Sequence, residues 1–268
     1  MAKIVRKMVS KTELKYFASL LHKKQRTEEK KFIAEGKKLV DEALDSDYSC
    51  DALFATYTFE ETHQSYCNAL QNRSIRYERL SAPDFKKLCD TETPQGIAGV
   101  FVQKEAKPLL AVGDEIIVAL ENISDPGNLG TIIRNCDWFG VKNILLSREC
   151  AEVYNPKVLR ASMGSAFHLN ILDEPYFYET LSSLKKDGFD ILCADLKGEN
   201  IFEYDVKTRS VLVFSNESHG PTHELVSISK TVTIPAYGSA ESLNVANACA
   251  VILGYYRASL KTPTKSRT

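Results

Sequence analysis

Three loops carry polar residues just beyond apolar runs, where an α/β protein places its chemistry. They are NISDPGNLGTIIRN (122–135) after EIIVAL, SNESHGP (215–221) at the end of VLVFS, and AYGSAESLN (236–244) after TVTIP. A strand, a glycine-containing turn and a helix start together present free backbone N–H groups to an anion. DPGNLG is not the GxGxxG of a dinucleotide fold: Pro126 removes a donor and the second glycine is misplaced, although Glu149 follows at a distance suited to a ribose ligand. The dehydrogenase reading is therefore weak.

Arg134 needs a reason. A helix expected through IIRNCDWFG puts it in or near the first turn, where the backbone dipole opposes a cation by a few tenths to about 1 kcal/mol. A phosphate diester or carboxylate bound between them reconciles the two. So does a surface ion pair with Asp125 or Asp137, worth about 0–1 kcal/mol, and spacing does not separate these. Asn128 caps the helix, or orients Arg134 or a substrate hydroxyl. Glu121 and Asn122 are open in the same way. Ser242 and Asn244 precede an apolar helix, so each is a capping candidate. Glu217 alone reads as a loop acid, and His219 beside it has no triad partner at useful spacing. The seven cysteines show no CxxC or zinc spacing and read as reduced, mostly buried thiols. For Cys136 and Cys249 packing stands against catalytic use. No metal site is expected.

The elements that must hold these loops come from short apolar runs alternating with helices. Ser10-Lys-Thr-Glu13 fits a capping box, opening a helix with the stripe Leu14, Phe17, Leu20, Leu21. FIAEG, DALFATY, SIRYERL and IAGVFVQ alternate with helices over KKLVDEALD, EETHQSYCNAL and APDFKKLC, which makes a small α/β domain over 1–103. KEAKPLLAVGD is the linker, 104–113. EIIVAL, NILLS, HLNIL, ILCADL, VLVFS and TVTIPA then alternate with further helices over 114–260, before a basic tail, 261–268. Continuous apolar strands predict a mostly parallel sheet with helices on both faces, its chemistry at the carboxyl ends of the strands.

The chain has 268 residues, 44 % hydrophobic and 26 % charged, with no run approaching a membrane span and no secretory core near Met1. A cytoplasmic protein is expected. The net charge of −1 hides an uneven spread: residues 1–40 hold 12 Lys or Arg against 4 acids. Lys23, Lys24, Arg26 and Lys30 are candidate phosphate contacts, against the plainer reading of a solvated helix face.

Taken together and in order, NISDPGNLGTIIRNCDWFG, LVFSNESHG and IPAYGSAESLNVANACA resemble the three signature motifs of the SpoU, or TrmH-like, RNA 2′-O-ribose methyltransferases of the SPOUT superfamily. NPKVLRASMGSAF is similar to that family too, and FIAEGKKLVDEAL resembles its N-terminal substrate-binding domain. The resemblance runs from about residue 10 to 258. It implies a C-terminal trefoil knot, an S-adenosylmethionine site within it and an obligate homodimer. It further implies catalytic roles for Asn128, Arg134, Glu217, Ser242 and Asn244, and cofactor contact around Ser215, Asn216, Ile234, Ser242 and Leu243. Arg134 is then also an RNA contact, set against the cofactor of the other subunit. Ser215 and Ser218 stand where glycine is usual, which puts close backbone approach to the cofactor in question. The separate N-terminal domain points to rRNA rather than tRNA. The competing expectation is a dimeric RNA-binding protein with weak catalysis.

Overall fold

The computed structural model describes residues 9–109, 115–216 and 220–260. Glu217, Ser218 and His219, part of the linker and the basic tail lie outside the described residues. Contacts divide the chain into two units, one of residues 1–105 with 154–167, the other of 106–153 with 168–268.

The first unit opens with α1 (Lys11–Ser19). Its capping box is present: Ser10 Oγ accepts from Glu13 N at 3.1 Å, and the Glu13 carboxylate accepts from Ser10 N at 2.9 Å. Leu14, Phe17 and Leu20 are buried in a cluster with Phe54 and Leu88. A second helix, α2 (Lys23–Glu29), follows at once, where no separate element was expected. It corrects one expectation. Arg26 is not a phosphate contact: it is 2 % exposed, and its Nη1 donates to the carbonyls of Leu20 at 3.0 Å and Leu21 at 2.7 Å. Those carbonyls lie just past the end of α1 and lack helical partners, and Arg26 supplies them. Lys23, Lys24 and Lys30 remain exposed.

Four strands, β1 (Lys31–Glu35), β2 (Cys50–Thr56), β3 (Arg76–Leu80) and β4 (Ile97–Val102), form one sheet in the order β1-β4-β2-β3. β4 runs antiparallel to both neighbours, and β3 is parallel to β2. Helices α3 (Lys37–Leu44), α4 (Tyr57–Thr62), α5 (Gln64–Gln71) and α6 (Ala82–Lys86) connect them. The single helix expected over EETHQSYCNAL is broken at His63, whose φ of −129° and ψ of 42° are not helical. Residues 154–167 also pack in this unit, through the rings of Tyr154 and Phe167 stacked on Phe32 at 4.7 and 5.8 Å. They carry α8 (Pro156–Ser162).

The second unit is built on β5 (Ile116–Glu121), β6 (Asn143–Leu146), β7 (Asn170–Asp173), β8 (Asp190–Asn200), β9 (Ser210–Ser215) and β10 (Lys230–Thr233). They form one sheet in the order β10-β8-β9-β5-β6-β7, with every neighbouring pair parallel. Its helices are α7 (Pro126–Trp138), α9 (Phe177–Lys186), α10 (His223–Ile228) and α11 (Val245–Ser259). Ile117 and Ala119 of β5 cluster with Phe177 and Leu181 of α9 and Leu225 of α10. Ile116, Val118 and Leu120 point to the opposite face by the period of the strand, and they are buried too. A strand apolar on both faces is what a sheet covered on both sides requires. The strand order is consistent with the knot that the resemblance implies. Among the described residues no helix is long and apolar enough to cross a membrane.

Candidate functional site

The helix of the first loop starts earlier than its apolar pattern suggests. α7 begins at Pro126, with Asp125 as N-cap, and Asp125 Oδ1 accepts from Asn128 N at 2.7 Å. Proline is pre-set for the first helical position and its missing N–H costs nothing there, so Asp-Pro was the signal for this start. Two readings change. Asn128 does not cap the helix, which frees its side-chain amide. Arg134 stands in the third turn, beyond the reach of the terminal dipole. It is exposed, and among the described residues it forms no ion pair with Asp125 or Asp137. Trp138, one turn further on, is 68 % exposed.

The freed amide of Asn128 joins the first loop to the third. Asn244 Nδ2 donates to Asn128 Oδ1 at 2.9 Å, while Asn244 Oδ1 accepts from Ala246 N at 3.0 Å and so caps α11. Asn135 Nδ2 adds a second tie between the same two helices, donating to Ala246 O at 2.9 Å. Asn244 therefore acts at once as a cap and as a bridge. Ser242, two residues before it, is exposed.

A cavity of about 580 Å³ opens at the carboxyl ends of β9 and β10, beside residues 194–196 in the middle of β8. All five residues expected to contact the cofactor line it: Ser215, Asn216, Ile234, Ser242 and Leu243. Asp195 and Glu241 add two carboxylates, and the described lining includes no Lys, Arg or His. Apolar walls, backbone-rich loops and a negative lining suit a ligand that combines an aromatic base with net positive charge. Asp195 enters because β8 departs from its register with β10, between the pairs Cys193↔Thr231 and Glu199↔Val232, leaving 194–198 to stand out of the ladder. Nothing in the spacing of ILCADL announces this.

Beneath the loops lies a buried polar cluster that sequence reasoning left undecided. Glu121, fully buried at the end of β5, accepts from Tyr178, Ser215 and Thr222. Burial first, and the Glu121 carboxylate beside it, push the Tyr178 phenol up to about 12. Asn122 adopts φ 58°, a left-handed conformation that asparagine tolerates, and its N–H donates to Ser147 Oγ at 2.8 Å. Cys136 and Cys249 are fully buried, and burial pushes the Cys136 thiol well above its ordinary range, which suits packing rather than nucleophilic use.

Residues 115–254 match the SpoU rRNA Methylase family, and residues 11–99 match the MRM3-like substrate binding domain. The chain belongs to the SpoU rRNA methylase family. Among its relatives is the 23S rRNA (guanosine(2553)-2′-O)-methyltransferase RlmP of Bacillus subtilis. It is 32 % identical over 251 residues, which cover 91 % of this chain and 96 % of that protein. A TrmH-family structure from Porphyromonas gingivalis superposes with a TM-score of 0.81 at 32 % identity, over 94 % of this chain and 99 % of that one. An AdoMet-bound rRNA methyltransferase from Sinorhizobium meliloti does so at 0.81 and 29 % identity, over 95 % and 98 %.

Proposed function

We propose that this chain transfers a methyl group from S-adenosylmethionine to a ribose 2′-hydroxyl of rRNA, acting as a homodimer in the cytosol. The observation that carries the reading is the Asn244–Asn128 hydrogen bond, which ties the first loop to the third beside the cavity. The kinship with 23S rRNA 2′-O-methyltransferases and the AdoMet-bound neighbour support it. So does the match of residues 11–99 to a substrate-binding domain.

When bound, the cofactor supplies an electrophilic methyl group. Ser215, Asn216, Ile234, Ser242 and Leu243 would hold it in the cavity, whose negative lining complements its charge. Glu217 contributes from the second loop. The guanidinium of Arg134 carries hydrogen-bond donors and no acceptor, so it is a poor base. It therefore binds the phosphate next to the target ribose and stabilises the alkoxide as it develops, rather than taking the proton. The proton leaves through that phosphate, Ser242 or water. Lys23, Lys24 and Lys30 follow phosphates elsewhere on the RNA and position it without reading sequence.

Support for the dimer comes from the exposed Trp138 and Tyr176 on the second unit, large rings suited to burial against another chain. In the dimer, Arg134 of one protomer serves the cavity of its partner. The free state of all seven cysteines accords with a reducing compartment.

The test is methyl transfer from labelled S-adenosylmethionine to unmodified rRNA and, separately, to tRNA, followed by mapping of the nucleotide. Label on a ribose of rRNA is expected. Label confined to tRNA overturns the substrate, and no rise in melting temperature at saturating cofactor overturns the enzyme in favour of an RNA-binding protein.

A further inference from the structure

We infer that Glu121 is a positioning residue whose carboxylate clamps the wall of the cavity, holding Ser215 at the end of β9 and Thr222 at the start of α10 in the arrangement that receives the cofactor. The inference rests on the reading of the cavity as the S-adenosylmethionine site.

The geometry divides the work between the two oxygens. Oε1 accepts from Tyr178 Oη at 2.7 Å and Thr222 Oγ1 at 2.7 Å. Oε2 accepts from Ser215 Oγ at 2.9 Å and from Thr222 N at 3.2 Å. Four donors from α9, β9 and the start of α10 thus converge on one side chain that is fully buried and, among the described residues, has no ion pair. All four donors are neutral, so the carboxylate is held by hydrogen bonds alone, and each oxygen uses the lone pairs available to it. Thr222 Oγ1 also accepts from Leu225 N at 3.2 Å, capping α10. The next residue, Asn122, extends the grip: its carbonyl accepts from Asn216 Nδ2 at 3.2 Å. The last residue of β5 and the one after it therefore hold Ser215, Asn216 and Thr222.

Ser215, Asn216, Gly220 and Pro221 all line the cavity, whereas Glu121 does not. Its influence on a ligand must pass through that wall. The clamp also accounts for Ser215 where glycine is usual. Its hydroxyl is spent on Glu121, so the side chain is anchored to β5. Serine and the buried glutamate form a matched pair in this chain. A glutamine at 121 has one acceptor oxygen where the carboxylate has two, so two of the four bonds must be lost or reversed.

The test is calorimetric titration of S-adenosylmethionine into the full chain, wild type against Glu121→Gln, Ser215→Ala, Tyr178→Phe and the double variant Glu121→Gln/Ser215→Ala. Melting temperature and affinity for rRNA are read alongside. The cofactor Kd is expected to rise at least tenfold in Glu121→Gln and about threefold or more in Ser215→Ala and Tyr178→Phe, with rRNA affinity unchanged. The double variant should bind no more weakly than Glu121→Gln alone, since both changes break the same bond. A folded Glu121→Gln protein with a Kd within twofold of wild type overturns the clamp, as does a lowered melting temperature with unaltered Kd or an additive double variant. Should Glu121→Gln fail to fold, the two single hydroxyl deletions decide by the same twofold limit. A wild-type chain that does not bind the cofactor overturns the underlying reading of the cavity, a result distinct from binding that the variants leave untouched.

Discussion

Arg134 and Arg26 are both candidate phosphate contacts in the sequence, and the structure gives them opposite surroundings. Arg26 is buried, donating to two backbone carbonyls, so its charge serves the fold of the first unit. Arg134 is exposed in the third turn of α7 and unpaired within its own chain among the described residues, so its charge is available to a ligand. In the proposed mechanism its planar fork, and not its charge alone, fits the phosphate. Arg134→Lys is accordingly expected to lower kcat by at least tenfold while leaving the melting temperature within a degree or so, because an exposed residue away from packing contributes little to stability. Single-turnover methylation kinetics check this, and near-normal turnover in the lysine variant would refute the fork.

At the level of elements, the start of α11 joins stability to chemistry. Asn244 caps the helix through Oδ1 and bridges to Asn128 through Nδ2, so the two functions sit on opposite atoms of one amide. Serine retains an acceptor for the cap but has no amide to reach Asn128. Asn244→Ala is expected to cost about 1 kcal/mol by loss of the cap. Asn244→Ser should recover most of that stability, yet stay at least fivefold slower than wild type if the bridge orients the first loop. Urea unfolding and methyl-transfer rates on the same samples separate the two, and full recovery of rate by serine would reduce Asn244 to a cap.

At the level of the whole molecule, the proposed assembly makes each site a product of two chains. Arg134 and Ser242 would act in one site from different protomers. Two inactive variants, Arg134→Ala and Ser242→Ala, should then regain activity when co-refolded, because a quarter of all sites in a random mixture of chains combine an intact arginine with an intact serine. Recovery of about a quarter of wild-type activity is the expected outcome, and sedimentation should report a dimer for each variant. Activity that stays at the level of the separate variants would show that each chain completes its own site.

Much of this protein was legible in its sequence because the signals are local or periodic. The capping box at Ser10 and Glu13 formed as spaced, and the apolar run of β5 became a strand buried on both faces. Likewise, the order of the three loops carried the family, which the match over residues 115–254 bears out. Contacts between distant positions were not legible. Asn128 and Asn244 lie 116 residues apart, and the donors to Glu121 lie 57, 94 and 101 residues away from it. Glu121 and Ser215 meet because β5 and β9 are neighbours in a fixed register, and the other pairs because helices pack across that sheet, properties of the assembled fold that no local propensity encodes. The burial of Arg26 was hidden for a local reason: its two carbonyl partners, six and five residues back, lack helical donors because α1 ends at Ser19. The sequence by itself determined which residues stand at the ends of strands and the family to which they belong. Only the tertiary structure decided which of them touch, because hydrogen bonds act over about 3 Å and the chain must first bring its distant segments together.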